Sequence, residues 1–268
     1  VSDLPQLKDS TLEFEGRVAT LTFRRDDVRN ALTGTALAED IVAAARWANG
    51  CAEVSVLVLT GEGSAFSAGG NVKTMRERAA AAPFELERAY RRGIQELARA
   101  MRALEVPAIA AVNGPAVGAG FDLANFCDLR IGSTRAQFGE TFANLGLIAG
   151  DGGAWYLARL LGHQRAAELT FTGRLVGAEE AKALGILLEV TAPEALLARA
   201  HELAQQIAAR PPLALRYAKR LLRAASEQGF EAHLEACSAF QAILQKSADH
   251  AEALSAFFEK RPGAFRGA

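Results

Sequence analysis

A chain of 268 residues, half of them hydrophobic, is long enough to bury a sizeable core in one domain or slightly more. Its formal net charge of −1 leaves no overall field to draw it to nucleic acid or to an anionic membrane. Three cysteines (Cys51, Cys127, Cys237), odd in number and far apart, argue for a reducing compartment and against a disulfide framework.

In chain order, Thr11–Glu15 and Arg17–Phe23 alternate apolar and polar around Gly16 and predict a hairpin. The N-terminal VSDLPQLKDS before them is polar and lacks a signal-peptide pattern. No apolar run approaches a membrane span, so a cytoplasmic protein is expected. A helix follows, with Leu37, Ile41, Ala45 and Ala48 on one face. The apolar run 54–60 predicts a buried strand. Helical stretches are predicted over Val72–Ala80 and Glu85–Leu104, then a strand over Ala108–Val112 beginning after Pro107. The stretch NGPAVGAGFDLANFCD predicts a turn and a helix, and Leu129–Ile131 a short strand. From Gly152 onward the pattern is mostly helical. Alternating short buried strands and helices through residue 131 imply right-handed crossovers and a largely parallel sheet.

Glycines concentrate in three places: Ala68-Gly69-Gly70-Asn71; Asn113 to Ala124; and Leu145 to Gly162. Each sits where a strand or loop meets a helix N-terminus, which presents free N–H groups and a partial positive charge. Two such places converging make an oxyanion hole; taken singly, each is also an ordinary turn. The spacing in GPAVGAG is not G-x-G-x-x-G, and no P-loop is present. No His/Cys cluster has metal-ligand spacing.

AFSAGGNVKTM, NGPAVGAGFDLANFCDLRIGSTRAQFG and LGLIAGDGGAWYLARLLG resemble the crotonase family, also called the enoyl-CoA hydratase/isomerase family. RNAL (Arg29–Leu32) and FFEKRPGAF (Phe257–Phe265) match too, so the resemblance spans about residues 12 to 265. It implies an α/β fold: a crotonase-like spiral of ββα repeats (1–200, carrying the acyl-CoA site) with a helical C-terminal region (201–268) for oligomer packing and covering of the active site. A trimer or dimer of trimers is implied, with an acyl-CoA thioester as substrate. CoA is then part of the substrate; no separate cofactor and no metal are expected. The family pattern makes Gly70 and Ala119 the backbone N–H donors to the thioester oxygen. It places CoA along Val28, Arg29, Ala68, Asn71, Val72 and Lys73. Phe257 and Lys260 match positions that reach CoA from a neighbouring subunit; otherwise they are surface residues.

Hydratases of the family use two glutamates. Asp122 stands at the first position and Phe142 at the second; Glu140 is two positions off. Asp151 stands where many hydratases have a small residue and where dienoyl-CoA isomerases and aryl-CoA dehalogenases carry an aspartate. Asp151 and Asp122 are therefore the candidate acid–base pair, in a pocket that Phe142 helps make apolar. Asp151 also fits a helix N-cap, and Asp122 a first-turn acid. Double-bond isomerisation and hydration are both open. The alternative is a crotonase-fold protein that binds acyl-CoA or RNA without catalysis; Arg216, Lys219, Arg220 and Arg223 at helical spacing are the feature that bears on RNA.

Overall fold

A computed structural model describes residues 3–77 and 80–267. In chain order the elements are β1 (Ser10–Glu15), β2 (Val18–Phe23), α1 (Leu37–Gly50), β3 (Val56–Gly61), α2 (Val72–Glu77), α3 (Pro83–Arg92) and α4 (Ile94–Ala103). Then come β4 (Ala108–Val112), β5 (Pro115–Val117), α5 (Ala119–Phe126), β6 (Leu129–Ser133), β7 (Gln137–Gly139), α6 (Gly153–Leu161) and α7 (His163–Thr172). The remainder is β8 (Val176–Gly177), α8 (Ala178–Leu184), β9 (Glu189–Thr191), α9 (Leu196–Ala208), α10 (Pro212–Ala224), α11 (Phe230–Gln245) and α12 (Ala248–Glu259).

Among the described residues the strands form a six-stranded sheet, β1-β2-β3-β4-β6-β9, and a three-stranded sheet, β5-β7-β8. Only β1 pairs antiparallel in the large sheet, across a turn in which Gly16 (φ 54°) and Arg17 (φ 71°) both take positive φ. That conformation matches the twist of a tight hairpin. The chain then spirals. One strand enters the large sheet, the next enters the small one, and a helix returns: β4, β5, α5 and then β6, β7, α6. This is the crotonase-like α/β spiral expected from the resemblance.

Strand period decides the layers. Val56 and Val58 of β3 face Ala200, Ala204 and Ala208 of α9, whereas Leu57 and Leu59 join the larger core with α1, α4 and α5. Both faces of the sheet are thus covered, as parallel sheets require. α9 crosses residue 200, the division expected between core and helical region, because its small apolar stripe is the cover of one sheet face.

Three features depart from the sequence reading. The helix expected over 85–104 is two, α3 and α4, meeting at Gly93 (φ −106°, ψ −108°). The helix expected over 72–80 is described as far as Glu77, and residues 78 and 79 lie outside the described residues. β8 and β9 interrupt the helical C-terminal third; at two and three residues they are too short to show alternation.

The basic residues of α10 serve the fold. Arg216 donates to Ala48 O (3.1 Å), Asn49 O (3.2 Å) and Cys51 O (2.9 Å), the carbonyls left open at the end of α1. Arg223 donates to Leu104 O (2.9 Å) and Met101 O (3.3 Å) at the end of α4. Lys219 is buried between Val106 O (2.6 Å) and Asp128 (2.5 Å), and Arg220 pairs with Glu105. These charges close helix ends rather than form a free basic face. Arg216→Ala is expected to lower unfolding free energy by about 2–3 kcal/mol, read from urea midpoints, with Arg216→Lys recovering only part because one ammonium cannot serve the same fan of carbonyls. An unchanged midpoint would overturn this.

Among the described residues no helix is long and apolar enough to cross a membrane.

Candidate active site

The glycine loop after β3 is stitched on two sides. On one side, Ser67 Oγ donates to Asn30 O (2.7 Å), Ala68 N–H to Arg29 O (2.9 Å), Leu32 N–H to Gly69 O (2.7 Å), and Asn71 N–H to Thr33 Oγ1 (2.7 Å). On the other, Val117 N–H donates to Ser67 O (3.0 Å). Asn30, fully buried with φ 53°, anchors the first side by accepting from Arg25 N–H (2.8 Å) and donating to Ala65 O (2.8 Å).

These bonds press Gly69 against the start of α5. A Cβ on Gly69 (φ 75°) would stand 2.4 Å from Val117 O and 2.9 Å from Ala119 N; one on Gly120 would stand 2.2 Å from Ser67 O. Bare backbone is needed because two main-chain segments touch. Among the described residues no acceptor takes the amide hydrogens of Gly70 or Ala119. Two fixed, adjacent N–H donors, one of them at a helix N-terminus, suit an oxygen that gains negative charge. Met75 of α2 lies over Gly70, 2.3 Å from where its Cβ would be, and closes one side of this place. The sequence reading did not single out Met75. Val28, Arg29, Ala68, Asn71, Val72 and Lys73 gather around the same loop, with Val72 exposed and Lys73 N–H bonded to Asn71 Oδ1 (3.0 Å). Phe257 and Lys260 do not join them within one chain. Phe257 shares a cavity with Arg17, Arg210 and Phe265, beside the starts of β2 and β3, at the opposite end of the sheet.

Beyond the donors lies a line of acids. Asp122, in the first turn of α5, is fully buried. Its carboxyl rests on Gly153 at the start of α6, where a Cβ would fall 1.7 Å from Asp122 Oδ1. Asp151 (6 % exposed) enters from the loop before α6, and its Oδ1 accepts only a long bond from Gly153 N–H (3.4 Å). Glu140 (1 % exposed) enters from the end of β7. The pairing of β5 with β7 and the Gly118 N–H bond to Gly139 O (2.8 Å) put Glu140 beside Asp122, which sits one helical turn from Gly118. The carboxyl of Asp122 thus lies between Glu140 and Gly153, the residue whose N–H donates to Asp151 Oδ1. Both oxygens of Asp122 and of Glu140, and Asp151 Oδ2, find no N–H or O–H donor among the described residues.

Electrostatics follow from this. Burial, then the charges of Asp151 and Glu140, push the Asp122 carboxyl far above the usual carboxylate range. Burial pushes Glu140 up to about 7. Asp122 and Glu140, buried side by side without a donor, therefore hold their protons more tightly than free carboxyls do. Phe142, at the position where the resemblance expected a second acid, instead packs its ring 3.6 Å from the Cβ position of Gly118. Sequence reasoning thus left out Glu140. The available signal was strand parity: Glu140 is two residues from Phe138, which is fully buried, so it follows Phe138 to the inner face. Among the described residues no group of three His, Cys, Asp or Glu is disposed to hold a metal ion.

Residues 13–268 match the family described as enoyl-CoA hydratase/isomerase. The chain belongs to the enoyl-CoA hydratase/isomerase family. This family member is 34% identical over 263 residues to the short-chain-enoyl-CoA hydratase of Clostridium acetobutylicum, covering 96% of this chain and 97% of that protein. It is 34% identical to the 2,3-dehydroadipyl-CoA hydratase of Escherichia coli over 94% of this chain and 96% of that one. Its fold is similar to the crystal structure of enoyl-CoA hydratase from Bacillus anthracis, with a TM-score of 0.91, 32% identity, and coverage of 97% of this chain and 100% of that one. The protein is an enzyme of enoyl-CoA hydratase/isomerase type, acting on acyl-CoA thioesters.

Proposed function

We propose that this enzyme moves a proton along the enoyl chain of a CoA thioester, isomerising its double bond. The thioester oxygen sits between the N–H groups of Gly70 and Ala119, which lowers the cost of removing a proton near the carbonyl. Asp151, the most exposed of the three acids, takes that proton and returns it at a different carbon; Asp122 adjoins it. The observation that carries this reading is that Asp122 and Asp151 meet at Gly153: the carboxyl of Asp122 lies against it, and Asp151 Oδ1 accepts from its N–H (3.4 Å). Acids in contact pass protons, whereas acids that activate a water must stand apart to hold it. Phe142 against Gly118 adds an apolar wall on that side.

Hydration is the second reading, favoured by the names of the relatives. Val28, Arg29, Ala68, Asn71, Val72 and Lys73 would line the CoA path, with Phe257 and Lys260 reaching the CoA of a neighbouring subunit in a trimer or dimer of trimers. Their distance from Gly70 within one protomer is compatible with that arrangement. No cofactor or metal is required, since CoA is carried by the substrate, and a cytosolic location suits the free cysteines.

A spectrophotometric panel of 2-enoyl, 3-enoyl and dienoyl-CoA thioesters, crotonyl and 2,3-dehydroadipyl thioesters included, tests the proposal. Gain or shift of the conjugated thioester band from a 3-enoyl or dienoyl substrate is the expected result. Loss of that band from 2-enoyl substrates alone would replace isomerisation by hydration. Binding without change in any band would remove both.

A further inference from the structure

The three acids are not equivalent. Asp122 is the centre: its carboxyl lies against Gly153, whose N–H donates to Asp151, on one side, and the Gly118 N–H bond to Gly139 O sets Glu140 beside it on the other. Glu140 is 1 % exposed against 6 % for Asp151. Neither oxygen of Glu140 finds a donor among the described residues, and the same holds for Asp122. A buried carboxyl with four lone-pair sites and no donor is costly unless a proton lies between it and its neighbour. The groups that act on this place are few. α5 contributes Asp122, the loop before α6 contributes Asp151, and the end of β7 contributes Glu140; among the described residues no Lys, Arg or His is a leading influence on Asp122 or Glu140. A neighbouring cation would let all three ionise. Asp151 differs from the other two in accepting a backbone N–H and in its greater exposure.

We propose that Glu140 is a positioning residue: protonated like Asp122 and hydrogen-bonded to it, it adds no charge beside that carboxyl and keeps it turned along the line of acids, so that Asp151 is left to take the substrate proton. This rests on the reading of Asp151 and Asp122 as the proton-moving pair. Glu140 itself does not touch substrate; it acts through Asp122. Its loss therefore alters protonation rather than thioester binding, which belongs to Gly70 and Ala119.

The sign of the pH effect follows. Glu140 is raised from 4.5 to about 7, so the folded protein holds the Glu140 proton below that point and releases it as pH rises through about 7, while Asp122, raised further, keeps its own. Above that point a second negative charge appears beside Asp122, and turnover falls. Folding stability moves the same way: the contribution is fully present below about pH 4.5 and is lost progressively as pH rises from there through about 7.

Two variants and one spectroscopic measurement test this. Glu140→Gln is expected to lower kcat roughly tenfold to a hundredfold, to leave KM within about threefold, and to remove the alkaline limb near pH 7 from the kcat profile. Glu140→Asp is expected to restore the limb in part. A structural role alone would reduce the amount of folded protein without moving the limb. Infrared titration of the wild-type protein without substrate is expected to show a protonated carboxyl band that persists to about pH 7. That band does not depend on turnover. Its absence at pH 6 overturns the inference, even if Glu140→Gln fails to fold. An unchanged limb in a folded Glu140→Gln overturns it as well. A persistent band in a protein silent on every thioester would instead sink the catalytic reading and leave the protonated pair standing.

Discussion

Gly69→Ala is expected to lower kcat/KM by about 10³-fold or more while the protein still folds. The Gly69 backbone has φ 75°, and its Cβ would stand 2.4 Å from Val117 O and 2.9 Å from Ala119 N. Neither neighbour is the end of a flexible side chain. Both are main chain, held by the β5–β7 pairing and by the start of α5. The added methyl must therefore part the glycine loop from α5, and that parting is the separation between the two N–H donors. Loss of a single donor of this kind costs about 10² to 10³ in rate, and here both are displaced relative to the reacting carbon. Gly16→Ala is the control. Gly16 also has positive φ (54°) but nothing lies within 4 Å of its Cβ position, so it carries backbone strain without collision. Steady-state kinetics and thermal unfolding on both variants separate the effects. A Gly69→Ala enzyme within tenfold of wild type would show that these two segments do not hold the thioester oxygen.

Asp151→Asn is expected to reduce kcat by about 10³-fold with stability close to wild type. The N-cap of α6 is Gly152 rather than Asp151, and asparagine keeps an oxygen for the one backbone bond Asp151 does accept, the long one from Gly153 N–H (3.4 Å). If Asp151 served only to accept that bond, the asparagine variant would keep full activity. If it moves the substrate proton, the variant folds and does not turn over, because an amide cannot accept that proton. Full activity in this folded variant would return Asp151 to that structural role and leave the proton to Asp122 or Glu140.

Much of the molecule is legible in one dimension. The alternation of β1 and β2 around Gly16, the apolar run that becomes β3, and the strand after Pro107 are local signals, and each element stands where its pattern places it. The adjacent glycines at 69 and 70 likewise announce a close backbone approach before the partner is known. Other features are not local. Arg216, Lys219, Arg220 and Arg223 share a helix face, which in sequence looks like a surface for an outside partner. Their partners, at the ends of α1 and α4 and in the chain before β4 and β6, are 90 or more residues away. β8 and β9 are set by pairing, since segments of two and three residues have no period to display.

The acids show the same division. By itself the sequence determined that an aspartate opens α5, that another precedes α6, and that both stand near backbone able to hold an oxyanion; residue type, glycine spacing and helix starts are enough for that. Which third side chain meets them was decided only by tertiary structure. The loop after β7 offers Glu140 and Phe142 two residues apart, and a family pattern looks to the second. The pairing of Val117 with Gly139, and the Gly118 N–H bond to Gly139 O, turn Glu140 toward Asp122 and lay Phe142 on Gly118. Strand register sets that choice, and register is a property of two segments that meet in space.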